Sequence, residues 1–74
     1  KANKDKEISS YDIELIKQVS IGLSYLEICE LFKKNGLSPN GLSSIEKRLN
    51  KLKDQFQAHN IIHLVSIVKD LGLI

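Results

Sequence analysis

Apolar residues recur along this chain at helical spacing, and nowhere do they alternate at the two-residue period of a strand. The clearest case is Ser43–Phe56, SSIEKRLNKLKDQF. Ile45, Leu49, Leu52 and Phe56 follow one another at spacings of four, three and four, which puts them on one stripe of an α-helix. Lys47, Arg48, Asn50, Lys51 and Lys53 lie between them and must point elsewhere. Ser43 stands where an N-cap belongs, and Glu46 three residues later would close a capping box. The pattern predicts a helix with an apolar side for docking and a basic, hydrogen-bonding side left over.

Three further helices are expected. Ser9 or Ser10 caps one over about 10–21, with Ile13, Leu15, Ile16 and Val19 on its buried side and Gly22 ending it in a left-handed conformation. Ser24 and Glu27 form a second capping box for a helix over about 24–34, with Ile28, Leu31 and Phe32 facing inward. Residues 35–42, NGLSPNGL, connect it to the helix over about 43–56, and Ser38–Pro39 suits the start of a short helical turn. After a turn at Gln57–Asn60, Asn60 caps a last helix over about 60–71. Its inner face is Ile61, Leu64, Val65, Val68 and Leu71. Gly72 stops it, and Leu73 and Ile74 fold back on the core. The expected fold is an all-α, four-helix domain over residues 8–74. A charged tail or interdomain linker, KANKDKE at 1–7, precedes it.

Composition narrows the picture without naming a ligand. A chain of 74 residues is one small domain. At this size only about 60% of the unfolded surface is buried on folding, so nearly every apolar residue is needed for the core. Four aromatics and no tryptophan leave no large aromatic platform for a ligand. The net charge is only +2, but Ser43–Phe56 holds four Lys or Arg against two acids. Residues 1–7 contribute +1, residues 8–42 −1 and residues 57–74 nothing, so the surplus sits mainly on one helix. A single cysteine, Cys29, cannot form an internal disulfide, which suggests a reducing compartment or a chain indifferent to redox state; the expected location is cytoplasmic. No apolar run of about 18 residues suggests a membrane span, and no signal peptide is visible. The first residue is Lys, not Met, which suggests a fragment or processed product.

Candidate chemistry is sparse. Cys29 reads as a small buried hydrophobe; as a catalytic thiol it lacks a neighbouring base. His59 and His63 have the i, i+4 spacing of a metal pair, but no third ligand accompanies them. No Gly-rich phosphate loop, nucleophile–base pair or paired carboxylates stand out. Neither an enzyme, nor a cofactor, nor a metal is expected. Lys47, Arg48, Lys51 and Lys53 form a candidate nucleic-acid face, because cations on a helix that fits the major groove gain affinity by releasing counterions. The ordinary alternative is a solvated helix face. Ile62 and Ile67 lie beyond the inner stripe of the last helix, where they either wrap the core or contact a second copy.

Four pieces of the chain, in order, carry a resemblance. They are ISSYDIELIKQVSIGLS at Ile8–Ser24, Glu27–Ile28–Cys29, Ser44–Ile45–Glu46, and Phe56 to Asn60 with Leu64–Val65 and the ending Gly72–Leu73–Ile74. Together they make Ile8–Ile74 resemble the GerE-like C-terminal DNA-binding domain of the LuxR/NarL family of bacterial transcription regulators. One departure stands out: thirteen steps separate Phe32 from Ile45, beyond the short turn that the family uses. The docking angle of the following helix is therefore not specified by the resemblance.

The resemblance implies a helix-turn-helix that binds double-stranded DNA sequence-specifically as a homodimer, and usually an N-terminal regulatory domain. In many members that domain is a phosphorylatable receiver, so the chain would be a response-regulator output domain of a two-component system. By position, Glu46, Lys47 and Asn50 are the base-reading candidates. Ser44, Arg48, Lys51 and Lys53 are the phosphate candidates, joined by Ser24 and Tyr25 at the start of the helix over about 24–34. Glu46 has a competing claim as the closing residue of the capping box, and Tyr25 could be an exposed aromatic of no consequence. The family's habit of pairing through the last helix singles out Ile62, Ser66 and Ile67 for a dimer contact. The reading from a different class is a small helical protein-interaction or adaptor module that does not bind DNA.

Overall fold

The structure, a computed structural model, describes residues 8–74. The expected tail or linker at 1–7 lies outside the described residues. These form four helices and no strand: α1 (Ser10–Ser20), α2 (Tyr25–Asn35), α3 (Leu42–Phe56) and α4 (Ile61–Asp70). The all-α, four-helix fold expected from the spacing is what the chain adopts.

Local chemistry fixes most of the helix ends. Ser9, not Ser10, caps α1: its Oγ accepts from the Asp12 N–H at 3.2 Å, and the Asp12 carboxylate accepts from the Ser9 N–H at 3.3 Å. Ser24 and Glu27 make the expected second box on α2. Asn60 caps α4 by accepting from the His63 N–H at 2.8 Å. Gly36 closes α2 at φ 75°, a left-handed conformation that an added Cβ would strain. At the end of α3 the same role falls to Gln57, at φ 56°, despite its side chain.

Two expectations around the connector are corrected. The α3 cap is Gly41, with extended backbone and no side-chain cap bond, so the Ser43–Glu46 capping box does not form. The Ile45 N–H already bonds the Gly41 carbonyl at 3.0 Å. The helix thus starts one residue early, and Ser43 sits inside its first turn, where it cannot cap. Nor do Ser38 and Pro39 make a helical turn. The Tyr11 hydroxyl donates to the Pro39 carbonyl at 2.6 Å and the Asn40 side chain to the Leu37 carbonyl at 2.9 Å, so side chains take carbonyls that a helix would have used.

The helices pack in a ring: α1 on α2, α2 on α3, α3 on α4, and α4 back on α1. Leu15, Ile16, Ile28, Phe32, Ile45, Leu49, Leu52, Leu64 and Val68 are fully buried at its centre. Each such side chain contributes about 1.5–3 kcal/mol over an exposed one. Cys29 joins this core, as expected of a small hydrophobe. Leu73 and Ile74 fold back onto it. Leu71 does not: α4 ends at Asp70, and Leu71 is 57% exposed. Ile13 is only half-buried and outside the core, because α1 is centred instead on Leu15 and Ile16. No described helix is long and apolar enough to cross a membrane.

Candidate nucleic-acid interface

Helix α3 is anchored by its stripe. Ile45, Leu49 and Leu52 are at most 1% exposed and Phe56 6%. A helix held along one line turns its opposite side outward. That side is Ser43, Glu46, Lys47, Asn50, Lys51 and Asp54, all exposed. Ser44 and Lys53 are half-buried on its flanks. The three base-reading candidates therefore share one open face with Lys51. With the capping box absent, the Glu46 carboxylate is also released from its competing role.

Arg48 is different. Its Nε lies 2.6 Å from Oδ1 of Asp12 and its Nη2 3.3 Å from Oδ2, a forked pair between α3 and the first turn of α1. The guanidinium also sits over the Tyr11 ring, 5.6 Å from its centroid. The bond to Asp12 raises the guanidinium above its already high range. Asp12 is buried, so this charge is matched inside the domain. Arg48 is thus a cation already paired within the domain, its side chain still 37% exposed at the flank of the outer face. Without it, Lys47 and Lys51 are balanced on the outer face by Glu46 and Asp54, and the positive surplus of α3 rests on Lys53 at the flank.

The start of α2 adjoins this face. Burial pushes the Tyr25 hydroxyl above its usual value, and the negative charge of Glu46 pushes it further. Tyr25 is half-buried, not a loose exposed ring. Ser24 is exposed, but its Oγ accepts from the Glu27 N–H and its own N–H donates to Oε1 of Glu27 at 2.8 Å. Of the first-turn donors, those of Tyr25 and Leu26 are the ones that the box does not use.

On α4, Ile62 is 82% exposed and Ser66 is exposed one turn later, while Ile67 packs partly against the core. Two of the three dimer candidates therefore share an outer line, and the third turns inward. His59 and His63 build the α3–α4 turn. The His59 N–H donates to Nδ1 of His63 at 3.0 Å, and the rings stack at 5.1 Å and 14°. Parallel rings do not aim their nitrogens at one point, and no group of three potential metal ligands occurs among the described residues.

Sequence reasoning missed Asp12 and Tyr11. The Ser9-x-x-Asp12 spacing could have flagged Asp12 as a cap. Its bond to Arg48 spans thirty-six residues, which no local pattern reaches. No family profile, curated protein or solved structure matches the chain.

Proposed function

We propose that this chain binds duplex DNA sequence-specifically through the outer face of α3 and serves transcription regulation. One observation carries the reading: the apolar stripe of α3 is buried while Glu46, Lys47, Asn50 and Lys51 stand exposed together on its other side. An amide, an amine and a carboxylate on one helix are the groups that pair with adenine, guanine and cytosine edges in a major groove. Glu46, Lys47 and Asn50 take the base edges. Lys51 and Lys53, with Ser44, Ser24 and Tyr25 nearby, take phosphates. The resemblance to LuxR/NarL-type domains supports the same assignment, and it alone supports a cytoplasmic response-regulator output domain joined to an N-terminal regulatory domain. The exposed Ile62 and Ser66 support a homodimer on DNA through α4.

The near-neutral outer face favours a second reading, a protein-interaction module that docks a partner helix on Ile62. Salt separates the two. Two lysines on phosphates give a slope of roughly −1.8 in log K against log salt, so raising salt from about 50 to about 200 mM weakens one domain's binding roughly 12-fold. Fluorescence anisotropy on a labelled duplex measures this. Binding indifferent to salt, or none, removes the DNA reading.

A further inference from the structure

The strongest polar cluster of the domain lies beside the α3 face, not on it. Helices α1 and α3 do not rank among the closely packed helix pairs; each packs on α2 and α4. What ties them directly are the fork from Arg48 to Asp12 and the seat of the same guanidinium over the Tyr11 ring. Asp12 is only 5% exposed, and its carboxylate oxygens accept from Nε and Nη2 of Arg48 and from the Ser9 N–H. The neighbouring residue, Tyr11, holds the turn that leads into α3. Its hydroxyl donates to the Pro39 carbonyl at 2.6 Å, and its ring meets Phe32 edge-on at 5.3 Å. Two adjacent residues in the first turn of α1 thus grip α3 on its flank and at its approach.

We propose that Arg48 and Asp12 are positioning residues for recognition: the pair sets the direction of α3, and Arg48 serves DNA binding through α1 without touching DNA. The inference rests on the DNA reading of the α3 face and assigns one of its cations a different task. A guanidinium fixes direction because its planar fork accepts a carboxylate in one plane, whereas an ammonium is a point charge that holds no angle. Only a face held at a fixed angle presents Glu46, Lys47 and Asn50 to successive base edges together. Contacts with phosphates carry no sequence information, so the loss from a misdirected α3 falls on the preferred sequence.

The test compares wild type, Arg48→Lys and the double variant Asp12→Asn/Arg48→Gln. Two duplexes are used: one selected from a random library by the wild-type chain, and a scrambled duplex of equal length. Affinities are measured at several salt concentrations, with melting curves showing that each protein is folded at the assay temperature. The double variant leaves no unpaired buried charge and keeps the approach readable should Arg48→Lys fold poorly. If the pair positions α3, the double variant loses about tenfold on the selected duplex and little on the scrambled one, with the wild-type salt slope, and Arg48→Lys resembles it. If Arg48 touches a phosphate, Arg48→Lys stays near wild type and the double variant loses equally on both duplexes, with a slope lower by about one. That result, or unchanged affinity in both variants, overturns the inference while leaving the DNA reading intact. A wild type that binds neither duplex removes both.

Discussion

Arg48 on α3 and Asp12 on α1, thirty-six residues apart, meet at 2.6 Å, and the same Asp12 carboxylate closes the capping box at Ser9. One buried carboxylate therefore serves both a local and a long-range purpose. A pair with one solvated partner contributes about 1 kcal/mol at most, and losing a helix cap costs about 0.5–2 kcal/mol. Asp12→Ala should destabilise the domain by about 1–3 kcal/mol, since it loses both. A double-mutant cycle with Arg48→Ala should return a coupling of about 1 kcal/mol by urea denaturation. Additive losses would mean that the fork adds nothing to stability.

Tyr11 makes stability sensitive to alkali. Burial raises its hydroxyl above the ordinary 10.0, with Arg48 opposing and Asp12 and Cys29 adding to the rise. Only the neutral phenol can donate to the Pro39 carbonyl. A raised folded-state value means that the contribution is complete below pH 10.0 and lost as pH climbs from there through the higher folded-state value. At neutral pH, Tyr11→Phe should cost about 0.5–1.5 kcal/mol for the lost hydrogen bond. The gap between variant and wild type should close as melts are taken above pH 10, where the wild-type phenol ionises and loses its bond to the Pro39 carbonyl. A gap constant across that range would show that the hydroxyl adds no stability.

Gln57 is the one described non-glycine residue at positive φ, and it closes α3 where a glycine would serve better. A side chain in the left-handed region costs about 1–2 kcal/mol, part of which a glycine gives back as extra freedom of the unfolded chain. Gln57→Gly should therefore stabilise by a few tenths to about 1 kcal/mol. For a domain of this size that raises Tm by several degrees, with about 4–8 °C expected per kcal/mol. A lowered Tm would show that the Gln57 side chain is held by contacts worth more than the strain.

What could be read in advance follows the range of each interaction. The Ser24–Glu27 box, the Asn60 cap and the inner stripe of α3 are written within four residues of themselves, and the chain forms all of them. The Ser43–Glu46 box has the same lettering and does not form, because Gly41 already supplies extended backbone two residues earlier. The turn 36–41 is shaped by Tyr11, twenty-eight residues before Pro39, so its own composition could not give its conformation. For the same reason Arg48 looked like its neighbouring lysines: a charge pattern counts cations but not the partners that folding brings to them.

Asn50 and Lys51 are adjacent and both exposed, yet their assigned contacts differ. Asn50→Ala should cost about 1–3 kcal/mol on duplexes with the preferred base and relax the preference at that position. Lys51→Ala should weaken binding to every duplex about equally and lower the salt slope by about one. Library selection with each variant gives the first readout and salt titration the second. Equal losses across all sequences for Asn50→Ala would take away its base-reading role.

Ile62 is the most exposed of the large apolar residues, at 82%, so its side chain gives the folded monomer little. An aspartate there should change stability by no more than about 0.5 kcal/mol, as for other surface positions. It also stands at the second position of α4, where a negative charge suits the helix N-terminus. If α4 pairs two copies on DNA, the same substitution buries a carboxylate against an apolar partner surface. The expected result for Ile62→Asp is unchanged helicity and Tm, unchanged binding to a single half-site, and loss of cooperativity on a duplex carrying two. Sedimentation of the protein–DNA complex should show one copy where wild type shows two. Wild-type cooperativity in the variant would mean that the copies do not meet through this line of α4.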